Sequence, residues 1–431
     1  MPRTLLAHVL PAIALTASLL APAAAWSMPE FARRYNLSCS VCHDAFPRLN
    51  AFGENFADIN YKLPNWRDSH TLDLGDERLA LPERAPFAVR MQAYVQGRDG
   101  EDVDPITGST GNDSDFDFQA PYLIKLLSSS PLSEDITYYF YGIFAEKGGN
   151  GETLIEDAWF RHGDLFGAGV GMQLGQFQAS DLMFPREVRL TFQDFYAYRA
   201  AGITYDRGVI FDRGFGRLDV ALGAVNGNGI TDNFAIDSPG YRRPDAMFDS
   251  DSRKNLFGRV GFPIGRAGIG VFALTGEQRS AAGVAGESRG IRNSDKRILG
   301  LDAAGTLPNG RVHWYAQALW NDWEDFLDAT PGRDFEWFGG FGGLDYIRND
   351  RWTFSVLYNY AEADDFDDTG TIFEGIAIDS VTFNASYYFM RNLKVVFEVN
   401  ADLLGEERGG PPFVGHQTKE HYVLVGFDMA I

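Results

Sequence analysis

Two stretches of alternating sequence decide the fold of this 431-residue chain: PFAVRMQAYVQ at residues 86–96 and YVLVGFDMAI at its end, residues 422–431. In both, apolar side chains alternate with polar or small ones, Ala88 being an exception in the first. A period of two is the pattern of a β-strand with one apolar and one polar face. A chain that closes its last strand on its first in this way is typical of an outer-membrane barrel.

Between these two stretches the sequence predicts fourteen more strands, which gives about sixteen in all. They lie near residues 117–127, 136–146, 154–162, 169–178, 196–206, 216–226, 255–263, 268–277, 296–306, 311–321, 335–346, 351–360, 376–389 and 392–401. An even number of strands, joined alternately by short and long connections, is the pattern of single-chain bacterial barrels. We therefore predict an all-β fold, an outer-membrane β-barrel of about 16 antiparallel strands that occupies residues 85–431. A soluble β-sandwich or β-helix is the alternative, and no fixed-period repeat supports the β-helix.

The composition excludes several other classes of protein. Hydrophobic residues make up 45% of the chain and aromatic residues 14%, too many for a disordered protein. The formal charge of −21 argues against a nucleic-acid binder, which needs basic patches to neutralise phosphate. A mean hydropathy of −0.21 and 47 glycines do not fit a helical membrane protein.

The first 25 residues have the pattern of a signal peptide. Arg3 precedes an apolar run over residues 5–20, and the small residues 21–25 (APAAA) predict cleavage between Ala25 and Trp26. An uncleaved anchor helix is the alternative, but Pro11 and Pro22 interrupt the run. Beyond residue 25 no apolar stretch approaches the ~18 residues of a spanning helix, so a membrane location after export requires a barrel.

Both cysteines of the chain lie in one motif, Cys39-Ser40-Val41-Cys42-His43. C-x-x-C-H is the attachment sequence of a c-type haem, in which two thiols form thioethers and the next histidine binds the iron as proximal ligand. A thioredoxin-like redox pair would need a βαβ context, and a structural zinc site would need four ligands. The sequence has neither, so it predicts one covalent haem c held by Cys39, Cys42 and His43.

The segment around the motif, residues 26–84, is predicted to be a small helical monohaem cytochrome c domain. Pro47 suits the first turn of a helix, and Leu49, Phe52, Phe56 and Ile59 follow it at helical spacing as one apolar stripe. For the distal iron ligand we favour His70, with Met28 and Met91 as alternatives and an open or water-filled position also left open.

Sixteen strands enclose an aqueous lumen, and the haem segment is joined directly to the first strand by a linker that contains Pro82 and Pro86. We therefore expect this segment to plug the lumen or to cap its periplasmic mouth. The predicted outer loops are acidic, for instance at Asp364 and Asp365, which would concentrate cations or keep the surface soluble.

One further pattern links the two halves of the chain to a known family. Several short motifs have the order and spacing found in the cytochrome segment of that family. They are residues 29–33 (PEFAR), 39–43 (CSVCH), 46–49 (FPRL) and 52–53 (FG), followed by Phe56 and Tyr61. Over these roughly 35 residues the chain resembles the fused monohaem cytochrome c–porin family of outer-membrane ferrous-iron oxidases. Residues 174–177 (LGQF) also resemble strands of phosphate-type porins.

The resemblance implies a function. Cys39 and Cys42 would bind the haem, His43 would be its proximal ligand, and the protein would oxidise extracellular Fe(II) and pass electrons to a periplasmic c-type cytochrome. The barrel would contact outer-membrane lipids, and we expect no nucleic-acid partner. Glu54, Ala57 and Asn60 stand where the family tends to have basic residues and glycine, so another extracellular reductant remains open. A diffusion porin with a haem-bearing plug or sensor is the second hypothesis, and a soluble periplasmic cytochrome with a β-rich domain is the third.

Overall fold

A computed structural model describes most of the chain outside the N-terminus and the longest loops. The described residues are 30–63, 71–72, 75, 78, 81–82, 86–103, 110–144, 154–227, 229, 252–281, 289–367, 369, 372–404 and 417–431. The predicted signal peptide, Met28 and His70 lie outside them. Within the described residues, no helix is both long enough and apolar enough to cross a bilayer.

The N-terminal part contains short elements. In chain order they are α1 (Glu30–Tyr35), a 3₁₀ turn (Cys39–Val41), β1 (His43–Ala45), β2 (Arg48–Leu49), α2 (Ala51–Asp58), β3 (Thr71–Leu72) and β4 (Leu81–Pro82). β1 pairs with β2 and β3 with β4, each as a two-stranded antiparallel sheet.

The rest of the described chain forms a closed barrel of sixteen antiparallel strands, β5 to β20. They are β5 (Phe87–Val103), β6 (Thr110–Pro131), β7 (Ile136–Ile143), β8 (Leu154–His162), β9 (Gly171–Gln178), β10 (Tyr205–Phe215), β11 (Leu218–Val225), β12 (Asn255–Ile264), β13 (Ala267–Ala281), β14 (Arg289–Thr306), β15 (Val312–Glu324), β16 (Asp334–Ile347), β17 (Trp352–Glu362), β18 (Ile378–Met390), β19 (Leu393–Asp402) and β20 (Gln417–Ala430). The predicted fold class is confirmed.

The barrel closes where the sequence predicted, between the first and last alternating stretches. β20 pairs with β5 in a register that places Phe427 opposite Ala93 and Met429 opposite Met91. Along β20, Val425 and Phe427 are 45% and 51% exposed, whereas Leu424 and Asp428 are 1% and 4% exposed. The apolar face of the strand therefore lies on the outside of the barrel, where lipid would cover it, and Asp428 faces the lumen.

Connections differ between the two ends of the barrel. At one end the strands are joined by short turns, such as residues 132–135, 216–217, 265–266 and 391–392. We call this the short-turn end and the opposite one the long-loop end. In barrels of this kind the short turns face the periplasm and the long loops face outward.

Two details of the sequence prediction are wrong. The stretch predicted as a strand at 196–206 begins with the short helix α3 (Tyr196–Ala200), and β10 begins only at Tyr205. The helix predicted around Pro47 begins at Ala51, because residues 43–49 form the β1–β2 hairpin and the Asn50 side chain caps α2 by accepting from Gly53 N.

Candidate functional site

The segment that carries the haem motif lies in the lumen at the short-turn end of the barrel. The Asn60 side-chain amide donates to the Asp135 carbonyl at 2.9 Å, and the Thr137 hydroxyl donates to the Asn60 carbonyl at 3.2 Å. Lys62 forms an ion pair with Glu134 at 2.7 Å. These partners belong to the first short turn and to the start of β7, so residues 60–62 are fixed to the rim.

His43 stands in the β1–β2 hairpin with one ring nitrogen already in use. Its Nδ1 lies 3.1 Å from the Pro47 carbonyl oxygen, which can only accept a hydrogen bond. Nδ1 must therefore carry the proton, and Nε2 keeps a free lone pair. Burial lowers the pKa of His43 below its usual value, which favours the neutral imidazole that a metal ligand needs.

The two cysteines flank the 3₁₀ turn immediately before His43. Cys39 is exposed, Cys42 is half-buried, and both are free thiols. Burial raises the pKa of the Cys42 thiol, and the neighbouring Cys39 raises it further. Two unpaired thiols one turn apart, followed by an imidazole with a free Nε2, are the donor set that a covalent haem requires.

Helix α2 packs so closely on the motif that it leaves no room for a side chain at Gly53. A Cβ there would lie 2.2 Å from the Cys42 carbonyl oxygen. Asn50 adds a second contact, since its amide donates to the Val41 carbonyl at 3.0 Å. The hairpin and the helix therefore hold the Cys39–Cys42 turn in one shape.

This close approach gives a testable prediction. Gly53→Ala is expected to force α2 away from the turn, at a local cost of about 1–3 kcal/mol, and to lower the haem content per protein. Gly268→Ala is the matched control, because a Cβ at that position meets nothing within 4 Å. The ratio of Soret absorbance to protein concentration measures the effect, and equal ratios in the two variants would contradict the role given to Gly53.

Two side chains that follow His43 attach the hairpin to the barrel wall. Asp44 lies 2.8 Å from Nε2 of His313 on β15. Arg48, only 3% exposed, lies 3.7 Å from Asp345 on β16. The Arg48 guanidinium also stacks over the ring of Tyr315 at 5.9 Å. Sequence analysis could not find these partners, because they lie more than 260 residues away along the chain.

Phe46, at the tip of the hairpin, is held by strands further round the wall. Its carbonyl accepts from Lys394 Nζ at 2.9 Å and from the Tyr388 hydroxyl at 3.0 Å. The Arg90 guanidinium lies 5.1 Å from the Phe46 ring centroid, and that ring lies 5.7 Å from the His43 ring. The hairpin thus contacts β15, β16, β18, β19 and β5 of the barrel wall.

The predicted apolar stripe of α2 forms only in part. Phe56 is buried, with ring contacts to Phe31, Tyr35 and Tyr61 at 5.7 Å each. The other members diverge: Phe52 and Ile59 are 41% and 43% exposed, and Leu49 belongs to β2. The aromatic cluster around Phe56 is the small core of this segment.

A second element enters the lumen, and the sequence did not predict it. Residues 179–204, between β9 and β10, fold inward and bury Phe184, Phe195 and Tyr198 against Tyr315 and Phe341 of the wall. We call this segment the inner loop. The signal in the sequence was a long connection that contains several bulky apolar residues. The period-two pattern assigned part of that connection to a strand.

Buried polar bonds fix the inner loop in place. Glu398 on β19 accepts from the backbone N–H groups of Phe192 and Gln193 at 2.6 and 2.9 Å. Within the loop, Arg186 binds Asp194 at 2.6 Å. Burial raises the pKa of Asp181 to about 7, so this carboxyl is partly protonated at neutral pH.

The candidates for the distal iron ligand have different outcomes. His70 and Met28 lie outside the described residues. Met91 lies on the outward face of β5, 38% exposed, while its neighbour Arg90 points inward to Asp428. The structure therefore does not bring Met91 into the lumen with His43. In the described part of the chain, no group of three or more His, Cys, Asp or Glu side chains could hold a metal ion.

Comparison with known proteins supports the barrel and nothing finer. No protein-family model matches the chain, and no curated protein does. Among solved structures, the chain is similar to the outer-membrane channel DcaP of Acinetobacter baumannii, with a TM-score of 0.52 and 13% identity over 80% of this chain and 97% of that chain. It is also similar to OmpT of Vibrio cholerae, with a TM-score of 0.52 and 11% identity over 80% and 97% of the two chains.

A third similar structure is described as an anion-selective porin from Comamonas acidovorans. Its TM-score is 0.52 and its identity 12%, over 81% of this chain and 99% of that chain. At identities this low the likeness establishes fold alone. The chain has the fold of an outer-membrane porin barrel, and Cys39, Cys42 and His43 precede its first barrel strand.

Proposed function

We propose that this protein is an outer-membrane electron conduit that takes electrons from an extracellular donor and passes them through one c-type haem to a periplasmic cytochrome. The observation that carries the proposal is the C-x-x-C-H turn in the barrel lumen, where His43 keeps Nε2 free by bonding Nδ1 to Pro47. The resemblance to the monohaem cytochrome–porin family makes Fe(II) the first donor to test. Export by the N-terminal signal peptide would bring the chain to the compartment where such haems are attached.

The chain's own residues would perform three tasks. Cys39 and Cys42 would hold the haem covalently, and Nε2 of His43 would bind its iron; the bound group would supply a one-electron couple. Asp44, Phe46 and Arg48 would keep the hairpin at a fixed place in the lumen through their wall contacts. Cys39, which is exposed, would leave that side of the turn open to a periplasmic partner.

The test is anaerobic stopped-flow spectroscopy on the detergent-solubilised holoprotein. On mixing the oxidised protein with Fe(II), we expect the haem bands to shift to those of the reduced form. Replacement of His43 by Ala should abolish this reaction while the barrel still folds, because His43 makes no contact that closes the barrel. If the His43→Ala protein still reduced its partner normally, the mechanism would be wrong.

Two other outcomes would test the identity of the electron donor and the presence of the haem separately. A haem spectrum that dithionite reduces and Fe(II) does not would remove iron as the donor. No haem spectrum at all, after expression with haem-maturation machinery, would overturn the conduit.

The second candidate is a diffusion porin whose N-terminal segment is a plug or sensor. The porin fold of all three reported relatives favours it, and one of them is described as a channel. It predicts solute flux through the lumen and no turnover with a reductant, so liposome-swelling measurements on the same preparation discriminate the two.

A further inference from the structure

A small, partly open cavity lies in the lumen between the barrel wall and the inner loop. Arg90 on β5 and Lys125 on β6 supply cations from the wall, and Arg186 and Arg189 supply them from the inner loop. Among the lining residues, all of which belong to the described chain, Glu187 is the one carboxylate.

The carboxylates that balance these cations mostly lie outside the lining. Arg90 is bound in a two-point pair by Asp428, at 2.7 and 2.9 Å, Arg186 by Asp194, and Lys125 lies 3.4 Å from Glu156. None of these three carboxylates lines the cavity. The negative charges therefore hold the guanidinium groups in place, while the cavity itself meets the cationic side chains.

Glu187 is already engaged by its neighbours. It accepts from Lys125 Nζ at 3.0 Å and from the Tyr141 hydroxyl at 3.0 Å. Burial alone would raise the pKa of Glu187, but Lys125, Arg189 and Arg186 outweigh it and hold that pKa well below its usual range. A cation that entered the cavity would have to compete with these partners for the same carboxylate.

Arg189 keeps hydrogen-bonding capacity for a further partner. Its Nη1 donates to the Arg186 carbonyl at 3.0 Å, and its nearest carboxylate, Asp194, is 3.5 Å away. Its Nε is buried and has no hydrogen-bond partner among the described residues. Arg186 and Lys125 are each only 5% exposed, so their charges act in a site where water screens them weakly.

We propose that this cavity binds a small oxygen-bearing anion, such as an oxyanion or a small carboxylate. Planar guanidinium groups match the oxygen atoms of such anions, and four cations facing one occupied carboxylate disfavour a bare metal cation. Arg90 also stacks on Phe46, whose ring lies 5.7 Å from His43. Arg90 and Phe46 would therefore lie between a bound anion and His43, the predicted haem ligand. The proposal concerns binding only and holds whether the barrel transfers electrons or passes solutes.

The test is isothermal titration calorimetry of the full chain in detergent, with sodium sulfate as a redox-inert probe. Wild type is expected to bind sulfate saturably. Arg189→Gln should weaken binding about tenfold, because it removes a charge-assisted contact. Arg217→Gln is the matched control, since Arg217 lies at an exposed short turn, where it donates to the Pro263 carbonyl. It should leave binding unchanged.

A second variant guards against a folding defect in the first. Gln92→Glu changes one atom of a cavity-lining side chain and brings a negative charge to the site, so it should also weaken sulfate binding. Heat-modifiable migration on gels checks that each barrel is folded. Absence of saturable binding in wild type would overturn the proposal, as would equal binding in wild type and both cavity variants. An equal loss in Arg217→Gln would show surface binding and would overturn it too.

Discussion

Deleting residues 30–63 is expected to turn a plugged barrel into an open channel, with a single-channel conductance roughly tenfold higher. The deleted segment lies in the lumen at the short-turn end, where Asp44 contacts His313 and the Phe46 carbonyl accepts from Lys394. Barrel closure does not depend on it, because the backbone pairing of β5 with β6 and β20 and the Arg90–Asp428 ion pair all lie within the strands that remain. Planar-bilayer recording measures the effect, on protein expressed from a gene that keeps the predicted signal peptide for export.

The deletion leaves charged groups behind, and their fate decides whether the barrel survives. Asp345 and His313 lose Arg48 and Asp44, their partners in the segment. In a dry core such a loss would be severely destabilising, but water enters the opened lumen and solvates both groups. The barrel should therefore still show heat-modifiable migration. A folded deletion protein with the conductance of wild type would show that the segment does not obstruct the pore.

A milder variant serves as the control for this experiment. Lys62→Gln removes one exposed ion pair with Glu134 at the rim and leaves the hairpin attached. Exposed ion pairs contribute little to stability, so its conductance should match that of wild type. If it opened the pore as fully as the deletion, the segment would be held by its rim contact and not by the hairpin.

The barrel was predictable from sequence because membrane strands must alternate. Each strand has lipid on one side and the lumen on the other, so Val425 and Phe427 face out and Asp428 faces in. An even strand number and alternating short and long connections are further regularities of single-chain bacterial barrels. The C-x-x-C-H motif can also be read from the sequence alone, because haem attachment depends on spacing along the chain, and the haem itself stays a prediction.

The inner loop and the attachment of the hairpin were not predictable in this way. Residues 196–206 also alternate over a short window, yet residues 196–204 belong to the inner loop, whose backbone Glu398 binds from more than 200 residues away. Asp44 meets His313 across 269 residues. Such contacts depend on the closed barrel, and no local pattern encodes them.

Replacing both Cys39 and Cys42 with Ser is expected to abolish covalent haem completely while the barrel remains folded. The thioether bonds need sulfur, and no other cysteine exists in the chain. The structural cost should be small, because neither thiol forms a disulfide and Cys39 is exposed. Haem staining of denaturing gels, together with the pyridine haemochrome spectrum, measures the loss.

His43→Ala is the matched control, because it would remove the proposed iron ligand and keep both proposed points of attachment. It should retain haem staining on a denaturing gel, with an altered spectrum in the folded protein. The two variants therefore separate the bonds that hold the group from the nitrogen that binds its iron. Haem that stayed on the Cys39→Ser/Cys42→Ser chain after denaturation would contradict the assignment of the motif. Equal loss of staining in both variants would instead mean that His43 is needed for attachment itself, before any role as a ligand.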